Sequence, residues 1–178
     1  MKLITSLSFI AFVFLNCGRN APEQEVQQEE MVHIYQQLDL DTIRQGQALK
    51  MYEKDYQLEI SKYCRNDSSL VIASKNNDPK TTTIAHNYVS RIKLNRGEEK
   101  VLDIEIDKAI FKDSLDTEFY KLATIREVEY ESVRSNRLYF KAILAVPDTD
   151  RLYQARFGIF YQTNKKGRLG YWGVGNKE

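Results

Sequence analysis

Carboxylates are the residues whose number and spacing could most directly support chemistry in this chain. Two groups alternate with apolar residues, so the members of each group share one face of a predicted strand. The groups are Asp103, Glu105, Asp107 and Glu127, Glu129, Glu131. Facing each other, they could hold a hard cation or supply the acid and base of a hydrolase. Because this alternation is also typical of a solvated strand face, we predict no metal site and no catalytic residues.

Other patterns of catalytic or cofactor-binding residues are missing. Neither His33 nor His86 has a cysteine, carboxylate or serine at the spacing of a metal site or a catalytic triad. Ser90 and Lys93 form a Ser-x-x-Lys pair, but they fall in a strand pattern rather than on the helix that such a pair requires. No nucleophile elbow, phosphate-binding glycine loop or His-Glu-x-x-His motif is present, so we expect no cofactor.

Cys17 is the residue with the clearest chemical assignment. Lys2 and an apolar run over residues 3–15 precede it. As a helix this run would rise about 20 Å, short of a ~30 Å hydrocarbon core, which favours a signal peptide over a permanent span. The sequence Phe14-Leu15-Asn16-Cys17 resembles a lipobox, where signal peptidase II cuts before a cysteine that carries lipid. We predict a signal peptide over residues 1–16, palmitate on Cys17, and an anchor and tether over residues 17–30.

The rest of the chain has the composition of one globular domain, over residues 31–178. Of 26 basic residues only Lys2 precedes Cys17, which leaves 25 against 25 acidic residues. A neutral domain lacks the basic surface that drives binding to nucleic acid, so we expect no nucleic-acid partner. With Cys17 lipidated, Cys64 stands alone; we predict no disulfide and a buried thiol.

Period-two patterns predict that most of this domain is β-sheet. Apolar residues alternate with polar ones in several segments, and short turn clusters separate them. Examples are Tyr56, Leu58, Ile60 and Leu102, Ile104, Ile106. The pattern predicts an antiparallel β-sandwich or open meander barrel, with an α+β roll as the alternative.

Two segments have helical signals instead. Met31, Ile34, Tyr35 and Leu38 follow the i, i+3, i+4, i+7 spacing of an amphipathic helix, which predicts an N-terminal helix within residues 23–38. Ser114 as an N-cap predicts a second, short helix over residues 113–122.

The register of one hairpin follows from the inward placement of its apolar residues. If Val128 and Tyr130 face inward, Tyr130 opposes Ala142 and the loop is Ser135-Asn136-Arg137. This register sets Glu131 opposite Lys141 on the outer face.

The last hairpin predicts an aromatic surface. With Tyr153, Ala155, Phe157, Ile159 and Tyr161 facing the core, Phe160 faces outward. A four-residue loop over 164–167 would pair Phe160 with Tyr171 and place Trp172 in the core. Phe160, Tyr171 and the neighbouring Leu169 form the candidate binding patch.

The whole arrangement, a lipobox followed by a mostly β domain, resembles uncharacterised exported lipoproteins of Bacteroidota-type bacteria. The resemblance implies a cell-envelope location and no assignable activity; we expect the outer rather than the inner membrane. Asp41-Thr42-Ile43 and Asp113-Ser114-Leu115 resemble O-glycosylation acceptors of the same bacteria, which makes Thr42 and Ser114 candidate sites.

Taken together, these patterns predict a membrane-anchored envelope lipoprotein whose non-catalytic β domain binds a protein or glycan partner. A carboxylate-dependent hydrolase of envelope polymers and an immunity or inhibitor protein are the alternatives.

Overall fold

The computed structural model describes residues 31–73, 80–161 and 169–175, the last range by its backbone alone. These residues form eleven strands, with a 3₁₀-helix (Lys108–Ser114) and an α-helix, α1 (Thr117–Leu122), between the seventh and eighth. The strands are β1 (Val32–Tyr35), β2 (Thr42–Met51), β3 (Lys54–Cys64), β4 (Leu70–Ala73), β5 (Thr81–Ala85), β6 (Tyr88–Arg96), β7 (Glu99–Ile106), β8 (Thr124–Arg134), β9 (Arg137–Ala145), β10 (Leu152–Phe160) and β11 (Leu169–Gly175).

The strands form two large sheets and a small one. The first large sheet has the order β2-β3-β6-β7, the second has the order β11-β10-β9-β8, and the small sheet has the order β1-β5-β4. Neighbours are antiparallel except β1 and β5, which run parallel. The domain is therefore mainly β and antiparallel, as predicted, and the described strands do not close into a barrel.

The core lies between the two large sheets, as the period-two patterns predict. One wall consists of Leu58, Ile60, Ile92, Leu94, Leu102 and Ile106, and the other of Leu138, Phe140, Ala142, Leu144, Ala155, Phe157 and Ile159. Phe157 stacks on Phe140 and meets the edge of Phe111, which the 3₁₀-helix inserts into the core. Cys64 is buried with a free thiol, in agreement with the prediction.

The predicted N-terminal helix is not found in residues 31–38. This segment contains β1, and it pairs with the threonine-rich strand β5. A helix this short is marginal in water, whereas the edge of β5 offers backbone hydrogen bonds such as that from the Val32 amide to the Lys80 carbonyl (2.8 Å). The helical spacing was misleading because Val32 and Ile34 also satisfy a period of two. The part of the prediction before residue 31 lies outside the described residues.

The short helix near residues 113–122 is confirmed, with a different cap. Asp116, not Ser114, caps α1 by accepting hydrogen bonds from the Glu118 and Phe119 amides. Ser114 is the last residue of the 3₁₀-helix.

The predicted register of the β8–β9 hairpin is wrong. Tyr130 lies opposite Phe140 rather than Ala142, and Lys141 lies opposite Glu129 rather than Glu131. The turn holds two residues, with Ser135 at φ 51°, and the strand is irregular between Ile125 and Glu127 and between Tyr130 and Ser132. Each bulge inserts one unpaired residue, which simple alternation does not reveal.

The predicted register of the last hairpin is also wrong. Tyr171 lies opposite Phe157, and Leu169 lies opposite Ile159, so Phe160 does not oppose Tyr171. The inward placement of Ala155, Phe157, Ile159 and Tyr161 is confirmed by their burial. The side chains of Leu169, Tyr171 and Trp172 lie outside the described residues.

Candidate functional site

An open groove runs between the two large sheets, along the edge strands β2 and β8. It consists of two adjoining cavities of about 250 and 290 Å³, which share Gln45 and Ile60. The first is lined by Gln45, Gly46, Gln47, Leu58, Ile60, Glu129 and Tyr130. The second is lined by Ile43, Gln45, Ile60, Lys62, Ser90, Arg126, Glu127 and Val128. The floor is thus the apolar margin of the core, and polar side chains form much of the walls.

The sequence of β2 explains why the sandwich stays open on this side. Ile43, Gln45, Gln47 and Leu49 share the face of β2 that continues the core face of β3. Gln45 and Gln47 stand opposite Ile60 and Leu58, but an amide side chain cannot be buried there without hydrogen-bond partners. The two glutamines therefore keep the edge strand solvated.

The sheets are joined at both ends of the groove. At one end the Tyr88 amide donates to Thr124 Oγ1 (2.7 Å), and Lys62 Nζ donates to the Arg126 carbonyl (3.1 Å). At the other end Tyr56 and Tyr161 meet edge to face, with their ring centroids 6.2 Å apart. β8 runs from the first junction toward the second, and β3 runs the opposite way. Because β2 is antiparallel to β3, β2 and β8 run in the same direction on either side of the groove.

Ser90 is the polar group buried deepest in the groove. The residue is fully buried on β6, and its Oγ has no hydrogen-bond partner among the described residues. Leaving a buried hydroxyl unpaired costs about 1–3 kcal/mol. The hydroxyl has no accessible surface, so a ligand group reaches it only when a neighbouring side chain moves aside; that contact would recover part of this free energy.

Tyr130 adds an aromatic ring to the wall of the groove that β8 forms. The side chain is half-buried beside Phe140, and burial raises the pKa of its hydroxyl. The phenol therefore stays neutral at physiological pH and can exchange hydrogen bonds with a bound molecule.

The predicted carboxylate groups do not meet, because β7 and β8 belong to different sheets. Asp103 binds Arg91 through two hydrogen bonds of 2.6 and 2.9 Å, which lowers the pKa of its carboxyl to about 2. Glu105 accepts a hydrogen bond from Tyr63, and Asp107 lies 3.1 Å from Arg65. A general acid needs a raised pKa, so Asp103 has the opposite of the property that this role requires.

The second carboxylate group has partners of its own. Lys141 Nζ lies 2.9 Å from Glu129, and Arg156 Nε lies 3.0 Å from Glu131. Throughout the described ranges, no cluster of three or more His, Cys, Asp or Glu residues could hold a metal ion.

The two histidines make local hydrogen bonds. His86 is buried; its Nδ1 lies 2.9 Å from the Ser68 amide and its Nε2 lies 3.3 Å from the Gln36 carbonyl. The Gln36 contact holds the segment between β1 and β2, and the Ser68 contact holds the segment between β3 and β4. His33 is exposed and contacts Thr82 Oγ1 (2.6 Å).

The remaining predicted sites are separate from the groove or lie outside the described residues. Phe160 is half-buried, and the Arg137 guanidinium lies 4.0 Å from its ring centre. Thr42 is exposed at the start of β2, and Ser114 is half-buried. Cys17 lies outside the described residues.

The groove residues Gln45, Gln47 and Ser90 were not predicted from the sequence. The available signal was the pair of glutamines at inward positions of a strand bounded by Ile43 and Leu49. What no local pattern shows is that β8, about eighty residues further along, forms the opposite wall.

A protein family described as a domain of unknown function (DUF4738) matches residues 21–166. No curated protein matches the chain.

Proposed function

We propose that this chain, which belongs to the DUF4738 family of domains of unknown function, is a lipid-anchored envelope protein that binds an extended segment of a protein partner in the groove. The anchor is lipid on Cys17, and the expected location is the outer membrane of a Bacteroidota-type cell. The β domain acts by binding rather than by catalysis.

The groove between two sheet edges is the observation that carries this proposal. β2 and β8 are each the last strand of their sheet among the described strands, so each has one edge whose backbone groups bond to no neighbouring strand. An extended polypeptide can add to such an edge, with main-chain hydrogen bonds giving affinity and alternate side chains giving specificity. The apolar floor at Leu58, Ile60 and Val128 suits the side chains that would point inward.

Ser90 supports a polar contact at one position of such a segment. Its buried hydroxyl would pair with a backbone carbonyl or a polar side chain of the partner. Ser90→Ala should therefore leave the fold intact while weakening capture several-fold, since a net hydrogen bond is worth about 1 kcal/mol.

Photo-crosslinking tests the groove. Benzoylphenylalanine replaces Gln45 in the groove, and a matched control replaces Gln57, an exposed residue in the neighbouring strand β3. We expect a protease-sensitive adduct of larger mass from position 45 in intact cells and none from position 57. Identical adducts from both positions, or an adduct resistant to proteases, would contradict a polypeptide ligand.

The anchor is tested separately. Cys17→Ser should abolish palmitate labelling and release the protein from membranes, because the several chains of a lipoprotein anchor hold far more firmly than a single chain. Cys64→Ser is the control and should change neither palmitate labelling nor membrane retention, because the Cys64 thiol is buried. Full membrane retention of the labelled Cys17→Ser variant would refute lipidation at this residue.

A further inference from the structure

Exposed apolar side chains are concentrated in the first described segment, residues 31–43. Of the nine exposed large apolar residues among the described residues, seven lie within residues 31–43. They are Met31, Val32, Ile34, Tyr35, Leu38, Leu40 and Ile43. An eighth, Val71, lies in the same small sheet as β1.

The register of the small sheet places two of these residues, Tyr35 and Val71, in one row with the half-buried Ile84. Tyr35 lies opposite Ile84, and Ile84 lies opposite Val71, so the three form one row across β1, β5 and β4. Tyr35 is 66% exposed and Val71 is 56% exposed. The next row along the same face consists of His33, Thr82 and Ala73. We call these six residues the outer face of the small sheet.

The small sheet is unusual in having no fixed charge. Its strands read VHIY, LVIA and TTTIA, without a single Asp, Glu, Lys or Arg, in a chain that is 29% charged. Exposed edge strands normally carry charges that prevent association. An uncharged face with an aromatic side chain is suited to the boundary between water and lipid, where burial of apolar area gives the affinity.

The short distance along the chain between Cys17 and β1 would keep the small sheet close to the membrane that holds the lipid. From Cys17 to Val32 the chain can extend at most about 50 Å, at ~3.3–3.6 Å per residue. Of the thirteen residues 18–30, only Ala21, Pro22 and Val26 are apolar, so this tether has little apolar surface with which to cover the face.

The small sheet packs on the rest of the domain through Leu70, Ile72 and Ala85, which belong to the common core. The Asp39 amide donates to Asn66 Oδ1 (3.0 Å), and Tyr88 donates its hydroxyl proton to Asp39 (2.8 Å). These bonds fix the segment between β1 and β2, so that contact through the outer face would orient the whole domain.

We propose that the outer face of the small sheet rests on the lipid surface to which Cys17 anchors the chain, and so orients the groove relative to the membrane. This inference rests on the lipid anchor of the proposed function. It adds a second, weaker contact with the membrane, made by Tyr35, Val71 and Ile84.

The test uses a chain that begins at Gly18, so that its result does not depend on lipidation. An environment-sensitive fluorophore is attached at Ala73→Cys, on the outer face, or at Glu98→Cys, in the exposed turn between β6 and β7. Cys64 is buried and should not react in the native protein. The probe is a phosphatidylcholine vesicle at up to about 10 mM lipid, because binding should be weaker than the ~10⁴ M⁻¹ of one myristoyl chain.

We expect a blue shift and quenching by lipid-borne quenchers at position 73 and neither at position 98. Tyr35→Ser together with Val71→Ser should reduce vesicle binding at least about tenfold. Tyr52→Ser is the matched control, since Tyr52 is 60% exposed in the turn between β2 and β3, outside the small sheet, and should leave binding unchanged.

Three results would overturn the inference. The first is no vesicle binding at 10 mM lipid, and the second is an equal blue shift of the fluorophore at positions 73 and 98. The third is a dimer in sedimentation that the double serine variant dissociates, because the face would then be an interface between two copies of the chain. Failure of palmitate labelling at Cys17 would instead defeat the anchor, and the two failures are therefore distinguishable.

Discussion

The outer faces of the first large sheet and of the small sheet have opposite chemistry, although both sheets belong to one domain. On the first large sheet, Glu59, Lys93 and Asp103 form one row, and Ser61, Arg91 and Glu105 form the next. Each row sets opposite charges side by side, Lys93 between Glu59 and Asp103 and Arg91 beside Glu105, which suits a face in contact with water. The outer face of the small sheet presents Tyr35, Ile84 and Val71 with no ion pair. The proposed contact of the small sheet with lipid would account for this contrast.

Removal of buried side chains from the small sheet should give the largest decrease in the free energy of unfolding. Leu70 is 1% exposed and packs in the common core, whereas the next residue, Val71, is 56% exposed. Leu70→Ala should lower the free energy of unfolding by about 2–5 kcal/mol, and Val71→Ala by no more than about 0.5 kcal/mol. Urea unfolding of the chain from Gly18 measures both. Equal losses would show that the sheet does not have one buried and one exposed face.

The fold should lose stability when the pair between Asp103 and Arg91 on the first large sheet is broken. The two hydrogen bonds from Arg91 lower the pKa of Asp103 to about 2, from about 3.9 in an unfolded chain. A depressed pKa in the folded state stabilises the fold above the unfolded value, and this stability is lost as pH falls from about 4 through 2. Asp103→Asn should therefore cost about 1–2 kcal/mol at pH 7, allowing for solvent screening, and almost nothing near pH 2.

Glu59→Gln is the control for this pH dependence. Glu59 lies 3.6 Å from Lys93, and its side chain is 41% exposed. Its loss should change the free energy of unfolding by less than about 0.5 kcal/mol at either pH. If the Asp103→Asn deficit persisted at pH 2, the cause would be packing rather than charge.

The sequence was sufficient to predict the buried faces of several strands in the two large sheets. Alternation identifies the inward faces of β3, β9 and β10, because a strand with one solvated face must alternate. Pairing partners were harder to predict, because the bulges at Arg126 and Glu131 shift the register without breaking the pattern on either side.

The candidate site and the N-terminal strand depend on contacts between distant segments. β1 is a strand because β5 lies beside it, and β5 is about fifty residues away. The groove exists because Gln45 and Gln47 face β8 across an opening between two sheets. Their residue types alone indicate a solvated strand, and only the tertiary structure shows that the strand borders a cavity.

The smallest expected effect concerns an ion pair on the outer face of the second large sheet. Lys141 Nζ lies 2.9 Å from Glu129, and this hydrogen bond raises the pKa of Lys141. A double-mutant cycle of Glu129→Gln and Lys141→Met should give a small favourable coupling, because the Glu129 side chain is 43% exposed and water screens the pair. The matched cycle of Glu131→Gln with Lys141→Met should give a smaller coupling, because Glu131 binds Arg156 and acts on Lys141 through its charge alone. A larger coupling for Glu131 than for Glu129 would contradict the observed register.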